Sequence, residues 1–292
     1  MIDTAAIIAA EALPADYADT VARVWTPLAA QIAARRHSAG RPLLVGINGT
    51  QGSGKTTACR FLGALLADCG LSVATLSIDD LVLTRAEREA LAATVHPLFA
   101  TRGPPGTHDL ALADRTITAL LAGTSPVAVP RFDKAVDDRA PSSSWPVVEA
   151  PLDVLLFEGW CIGATPQPKS ALSAPVNRLE ADEDPQMTWR RHVNDALATG
   201  YARLFARLDL LVALRAPDFG VVRAWRQRQE EQLRARAGAG AGMDDAALDR
   251  FIQHYERLTR HMLDTVPAPA TITIIIDHQH KAGAIQGLDR AG

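Results

Sequence analysis

Residues 49–56 read Gly-Thr-Gln-Gly-Ser-Gly-Lys-Thr, the G-x-x-x-x-G-K-[ST] spacing of a loop that wraps phosphate oxygens. The glycines let the backbone approach an anion closely, the loop amides donate to it, and a helix starting there adds its positive end. Lys55 is expected to reach the β- and γ-phosphates, and the Thr56 hydroxyl to bind Mg²⁺. The expected nucleotide-binding set is Gly49, Thr50, Gln51, Gly52, Ser53, Gly54, Lys55, Thr56 and Thr57. The competing reading is a glycine turn that merely caps a helix. The flanks oppose it: Leu43–Ile47 is a short apolar run suited to a buried strand, and Ala58, Phe61, Leu62, Leu65 and Leu66 fall on one helical face. A nucleoside triphosphate is the implied ligand.

Acids stand at the ends of two further apolar runs. Ser77-Ile78-Asp79-Asp80-Leu81 places two adjacent carboxylates where burial is costly unless a cation or a substrate proton meets them. Phosphoryl transfer to a hydroxyl needs an acid to orient that hydroxyl and accept its proton. Asp79 is read as that group; Asp80 is read as a substrate contact or as a helix cap. The run Asp153–Phe157 closes on Glu158-Gly159-Trp160, a Walker-B-like pattern whose carboxylate holds Mg²⁺ directly or through water, with an ordinary surface charge as the alternative. Thr56, Asp79 and Glu158 form the expected Mg²⁺ set.

Two loops and one helix complete the candidates. Arg102-Gly-Pro-Pro-Gly-Thr-His108-Asp109 is a rigid loop from which Arg102, His108 and Asp109 are expected to meet the acceptor, although Asp109 serves equally well as a cap. Pro130-Arg131-Phe132-Asp133-Lys134, continued by Asp137, Asp138 and Arg139, is either a solvated turn or a carboxylate site with charge-assisted donors; Arg131, Asp133 and Lys134 are its candidates. Arg223, Arg226, Arg228, Arg234 and Arg236 crowd a helical segment before Ala-Gly-Ala-Gly-Ala-Gly at 237–242. A closing arginine would stabilise charge on a transferring phosphoryl group, with Arg223 and Arg226 the leading candidates and the glycine run as hinge. The competing reading is a solvated basic face paired with Glu230 and Glu231. His96, His192, His254 and His278 lack metal-ligand spacing, and Trp189, Trp225 and Tyr255 read as core.

The elements that must position these residues follow from hydrophobic patterning. Leu43–Ile47, Leu71–Ile78, Leu152–Phe157, Leu208–Leu214 and Thr271–Ile276 predict five buried strands, separated by helical patterns at Lys55–Ala67, Asp109–Leu121 and Arg190–Ala206. This alternation predicts an α/β fold, a parallel sheet of about five strands covered on both faces, with ligands beyond the carboxyl ends of the strands. The chain reads as a single domain over 1–292 with an N-terminal helical segment to about 37 broken near Pro27, a proline-rich surface excursion at 163–187 and a lid at about 215–260. A net charge of −3 offers no field for nucleic acid or an anionic membrane, and no apolar run approaches a membrane span. An acidic N-terminal stretch and three unpaired-looking cysteines suit a cytoplasmic protein. Oligomeric state, monomer or dimer, is not encoded in any visible pattern.

Taken together these residues resemble a known group. The phosphate loop, Ile78-Asp79-Asp80-Leu81, the P-R-F-D-K loop and F-E-G-W are similar to the P-loop kinase superfamily of uridine kinase, phosphoribulokinase and bacterial pantothenate kinase. Within it the chain most resembles the glycerate 3-kinase family of plants and its fungal and bacterial relatives, which show S-x-D-D-F-Y, R-G-x-P-G-T-H-D, P-R-[YF]-D-K and F-E-G-W in this order. Leu179-Glu180 with Asp184, and Trp189-Arg190 with Val193-Asn194, extend the likeness, which covers about residues 40–260. The resemblance implies a kinase-type P-loop NTPase fold and ATP-dependent phosphorylation of D-glycerate to 3-phosphoglycerate with Mg²⁺. It maps the base onto Asp79, the Walker-B-like acid onto Glu158 and the lid arginines around Arg223, Arg226 and Arg228. Leu81-Val82 departs from the usual Phe-Tyr pair beside the acceptor. A nucleoside or pantothenate-like acceptor is the nearest rival, and a regulatory nucleotide switch the rival of another class. The switch is opposed by the lack of N-K-x-D, and a nucleic-acid motor by the net charge.

Overall fold

The five apolar runs form five parallel strands. In the computed structural model, which describes residues 4–237, 242–266 and 270–288, these are β1 (Leu43–Gly49), β2 (Val73–Ser77), β3 (Val154–Gly159), β4 (Leu210–Arg215) and β5 (Ile272–Ile276). A sixth strand, β6 (Ala282–Gln286), pairs antiparallel at the edge, giving the order β6-β5-β4-β1-β3-β2. Sequence patterning misses β6 because its residues are mostly exposed and alternate poorly. The phosphate-loop strand β1 lies inside the sheet between β3 and β4, and all seven of its residues are buried.

Side chains of a strand point alternately to opposite faces. Leu43, Val45, Ile47, Val154 and Leu156 therefore pack on one side, against Trp25, Leu28 and Ile32 and against Phe61, Leu62 and Leu66. The first three of those partners come from a helical run ending in α1 (Thr26–Ala39), the others from α2 (Lys55–Asp68). Leu44, Leu155 and Phe157 face the other way, onto Ile117, Leu120, Tyr255 and Leu258. These belong to α4 (Leu110–Ala122) and α7 (Asp245–Thr265); between α2 and α4 lies α3 (Arg85–Thr94).

Two expectations about helices and one about a surface segment change. Pro27 does not break the N-terminal segment: it sits in the first turn of α1, where no amide donor is needed, and a π-turn at Val21–Trp25 leads into it. The helix expected over 190–206 is α5 (Thr188–Ala196), a π-turn at Leu197–Tyr201 and a short final turn at Ala202–Phe205. The stretch 163–187 runs over the surface only in part. Leu172, Leu179, Glu180 and Asp184 are buried, and Arg257 and Arg190 neutralise the two acids at 2.7 and 3.0 Å. After β4 comes the arginine-rich helix α6 (Gly220–Ala237). Residues 238–241 of the expected hinge lie outside the described residues, as does the Arg236 side chain.

Candidate active site

The phosphate loop leaves β1 at Gly49 and enters α2 at Lys55. Gly52 and Gly54 take φ values of 77° and 90°, a region open to glycine at little cost. A Cβ on Gly52 would also come within 2.7 Å of Trp225 Cβ, so the arginine helix α6 itself demands a glycine there. Lys55 Nζ donates to Thr50 O at 3.0 Å, turned back onto its own loop. Burial pushes its ammonium pKa down, against the opposing pull of Glu158 and Asp79. The hydroxyls of Thr50 and Ser53 are buried with no hydrogen-bond partner among the described residues. Two buried hydroxyl donors left over in this loop fit a polyphosphate, which offers acceptors only. Thr56 is exposed on the cleft, whereas Thr57 points away and donates to Glu11 at 3.3 Å.

Sheet register brings the acids to this loop. Glu158 on β3 lies opposite Ile47 of β1 and opposite Ser77 of β2, level with the start of the loop. Glu158 is 7% exposed; burial pushes its pKa up, while Lys55 draws it down. Just past β2 a 3₁₀ turn over Ile78–Leu81 separates the two aspartates. Asp79 faces the cleft, its Oδ2 2.9 Å from Lys134 Nζ. Burial would raise its pKa, but Lys134, His108 and Lys55 outweigh it and bring the value to about 2. The side chain remains 43% exposed toward the cleft, so water moderates these fields.

Asp80 points the other way. It accepts from Phe132 N at 3.1 Å and pairs with Arg131 at 3.4 Å, anchoring the 130–134 loop. It caps no helix, since Thr84 and Glu87 form the capping box of α3. Asp109 caps α4 through Leu112 N and pairs with Arg139, so the capping alternative describes it. His108 lies behind the cleft, its Nδ1 2.5 Å from the Tyr201 hydroxyl, and burial brings its pKa to about 4 against the pull of Asp79. Asp133 is exposed and accepts from Ala135 N within its own turn. Of the expected acceptor residues, Arg102 and Lys134 line the cleft; Asp80, His108, Asp109, Arg131 and Asp133 do not.

Opposite the acids stands a wall that sequence reasoning missed. Trp160 and Tyr255 meet edge to face at 4.8 Å, and Phe251 packs on Tyr255. The Trp160 indole donates to Gly103 O at 3.1 Å, and the Tyr255 hydroxyl donates to Arg102 O at 2.8 Å, fixing the Arg102 loop against the wall. Trp160 follows Glu158-Gly159 at a strand end, a signal available in the sequence. Phe251 and Tyr255 arrive on α7, and nothing local marks them.

The two candidate arginines part company. Arg226 enters the cleft, with its guanidinium 5.6 Å from the Phe251 ring and Nη2 2.5 Å from Glu230, which is 2% exposed. Arg223 lies outside, paired with Asp249 at 2.6 Å on an open surface. Elsewhere the remaining motif residues build the scaffold. Glu180 holds Arg257, Asp184 accepts from the first amides of α5 and from Arg190, and Asn194 exchanges hydrogen bonds with the Gln167 backbone.

A phosphate loop with a lysine, and a carboxylate two strands away paired with Lys134 in a cleft that Arg102 also lines, divide that cleft into a donor and an acceptor side. That division defines a P-loop kinase, the class of ATP-dependent phosphotransferases whose acceptor is a hydroxyl. No family model matches the chain. It is 34% identical over 225 residues to the uncharacterized kinase mug58 of Schizosaccharomyces pombe, a match covering 74% of this chain and 79% of that one. It is 35% identical over 237 residues to the chloroplastic D-glycerate 3-kinase of Arabidopsis thaliana, covering 78% of this chain but 49% of the plant protein. The fold superposes on D-glycerate 3-kinase from Cryptococcus neoformans with a TM-score of 0.73 at 25% identity, covering 90% of this chain and 99% of the fungal one. The chain belongs to the D-glycerate 3-kinase family. Among the described residues no helix is long and apolar enough to cross a membrane.

Proposed function

We propose that this kinase transfers the γ-phosphate of ATP to the 3-hydroxyl of D-glycerate, as one catalytic unit spanning the chain. The observation that carries the reading is the placement of Asp79 in one cleft with Lys55 of the phosphate loop and with Arg102 and Lys134. The family names supply the acceptor, and the two cations suit its carboxylate. Bound ATP supplies the phosphoryl group, and Mg²⁺ neutralises charge on its oxygens.

Among the described residues no three His, Cys, Asp or Glu side chains are grouped to cage a cation. That suits Mg²⁺ held by few protein ligands together with substrate phosphates. Thr56 and Glu158 are the residues that would hold it, with Asp79 within the same cleft. Lys55 exchanges the Thr50 carbonyl for phosphate oxygens. Asp79 orients the acceptor hydroxyl and takes its proton as Lys134 turns to the acceptor carboxylate. Arg226 supplies positive charge where the transferring group becomes most negative. Trp160, Phe251 and Tyr255 limit water at the reacting atoms. The free cysteines Cys59, Cys69 and Cys161 support a cytoplasmic setting.

The test is coupled ADP release from Mg²⁺-ATP across D-glycerate, L-glycerate, uridine and pantothenate. Turnover is expected with D-glycerate, yielding the 3-phosphate. Turnover with uridine or pantothenate alone would overturn the acceptor assignment.

A further inference from the structure

Among the described residues Arg88 is the largest charged side chain to vanish inside the fold, at 1% exposure, and it belongs neither to the phosphate loop nor to the cleft lining. A buried guanidinium is tolerated only where its donors are matched. Here it spans three segments. Nε donates to Leu83 O at 3.3 Å, just after the Asp79–Asp80 turn. Nη1 donates to Ala100 O at 2.7 Å, two residues before Arg102. Nη2 donates to both the carbonyl and the carboxylate of Asp137, at 2.6 and 2.9 Å. Those are the three segments that carry the acceptor-side residues.

Asp137 occupies the left-handed region at φ 55°, a conformation costly for a residue with a Cβ, and both of its oxygen-bearing groups are tied to Arg88. Its other carboxylate oxygen accepts from Arg102 Nη1. The Phe132 ring lies under both guanidiniums, 5.9 Å from that of Arg88 and 5.6 Å from that of Arg102. Two arginines thus share one carboxylate. Arg85, which donates to Val136 O, and Asp138, which accepts from Arg85 N, add one charge of each sign, so the cluster keeps a positive charge beside the cleft.

We propose that Arg88 is a positioning residue for acceptor binding: acting through Asp137, it holds the Arg102 guanidinium at the cleft wall to receive the carboxylate of the acceptor. This rests on the acid acceptor proposed above. Lysine cannot replace Arg88, because an ammonium is a point donor and cannot bridge three segments with a planar fork.

The test varies acceptor and ATP separately on wild type, Arg88→Lys and Asp137→Asn, and records a melting temperature for each. The Asp137 side chain is 34% exposed and its amide replacement nearly isosteric, so this variant reports even if Arg88→Lys folds poorly. The acceptor KM is expected to rise about tenfold or more in both, the ATP KM to stay within about twofold, as for loss of one charge-assisted contact. The preference for D-glycerate over the neutral analogue glycerol should fall by the same factor, a ratio that a merely structural role would not move. An unchanged or lowered acceptor KM in folded Asp137→Asn would overturn the proposal, as would parallel shifts in both KM values with an intact acid preference. Failure of the glycerate reading shows separately, in the wild type. The variants are then compared on the acid that the wild type does use, and a preferred acceptor without a carboxylate overturns the positioning role too.

Discussion

Lys134 Nζ and Asp79 Oδ2 stand 2.9 Å apart across the acceptor side of the cleft, an ion pair between a loop cation and a strand-end acid. The pair has a chemical consequence. With Lys134 in place Asp79 is held at about 2, too acidic to take a proton well from a hydroxyl. In the mechanism proposed above, an acceptor carboxylate draws Lys134 away and so restores basicity to Asp79 as the hydroxyl arrives. Lys134→Met should therefore raise the acidic limb of the kcat/KM profile, which reports the free enzyme, because the carboxylate loses its strongest stabilising partner. It should also raise the acceptor KM. A pH profile that does not move, with the acceptor KM unchanged, would show that the pair has no part in turnover.

The two adjacent aspartates should behave differently on amidation. Asp79→Asn is expected to lower kcat by about 10²–10⁴-fold with little change in the ATP KM, as for loss of a general base. Asp80→Asn weakens the hold on Phe132 N and Arg131, so its main effect should fall on acceptor KM and melting temperature. Single-turnover kinetics on both variants separates these outcomes; a larger kcat loss in the Asp80 variant would reverse their assignment.

On the donor side, Lys55→Ala should remove ATP turnover, by about 10³-fold or more, while leaving the melting temperature within a few degrees. Among the described residues its amine donates a hydrogen bond to the Thr50 carbonyl, a bond the fold can lose to water. Calorimetric titration with ATP and circular dichroism together check the split between site and fold.

Arg226 and Arg223 offer a matched comparison on one helix. Arg226→Ala should cost about 10²-fold or more in kcat, because its guanidinium sits in the cleft between Glu230 and Phe251. Arg223→Ala should change kcat by no more than about threefold, since its ion pair with Asp249 is a surface one. Equal losses in the two variants would mean that α6 rotates during turnover and presents both.

Stability should fall on mild acidification. His108 and His254 are each brought to about 4 by burial and are 5% exposed, so the native state keeps them neutral. The unfolded chain protonates them below about 6.5 and the native state does not, so stability drops as pH falls from about 6.5 to 4. The loss at pH 5 is on the order of 2 kcal/mol per imidazole. Asp79 contributes with the same sign but lower on the pH scale: its depressed value adds stability above the ordinary carboxylate range, lost as pH falls from about 3.8 towards about 2. Urea midpoints at pH 7 and pH 5 should differ accordingly, and His254→Asn should narrow the gap.

Much of this molecule is legible along the chain because its parts are local. The strand Leu43–Gly49, the left-handed glycines and the helix from Lys55 need only neighbouring residues to be recognised, since apolar runs, φ freedom and helical periodicity are short-range properties. Glu158 is marked in the same way, as an acid closing an apolar strand. What the chain alone left open turns on which way a side chain faces after distant segments meet. Asp79 and Asp80 are adjacent, and only the 3₁₀ turn and the approach of Phe132 divide them between cleft and scaffold. Arg223 and Arg226 lie on one helix, yet Asp249 and Glu230 draw them apart. Phe251, Tyr255 and Arg88 became visible only through contacts spanning many residues of chain, because a cleft is built from surfaces that sequence order does not keep together.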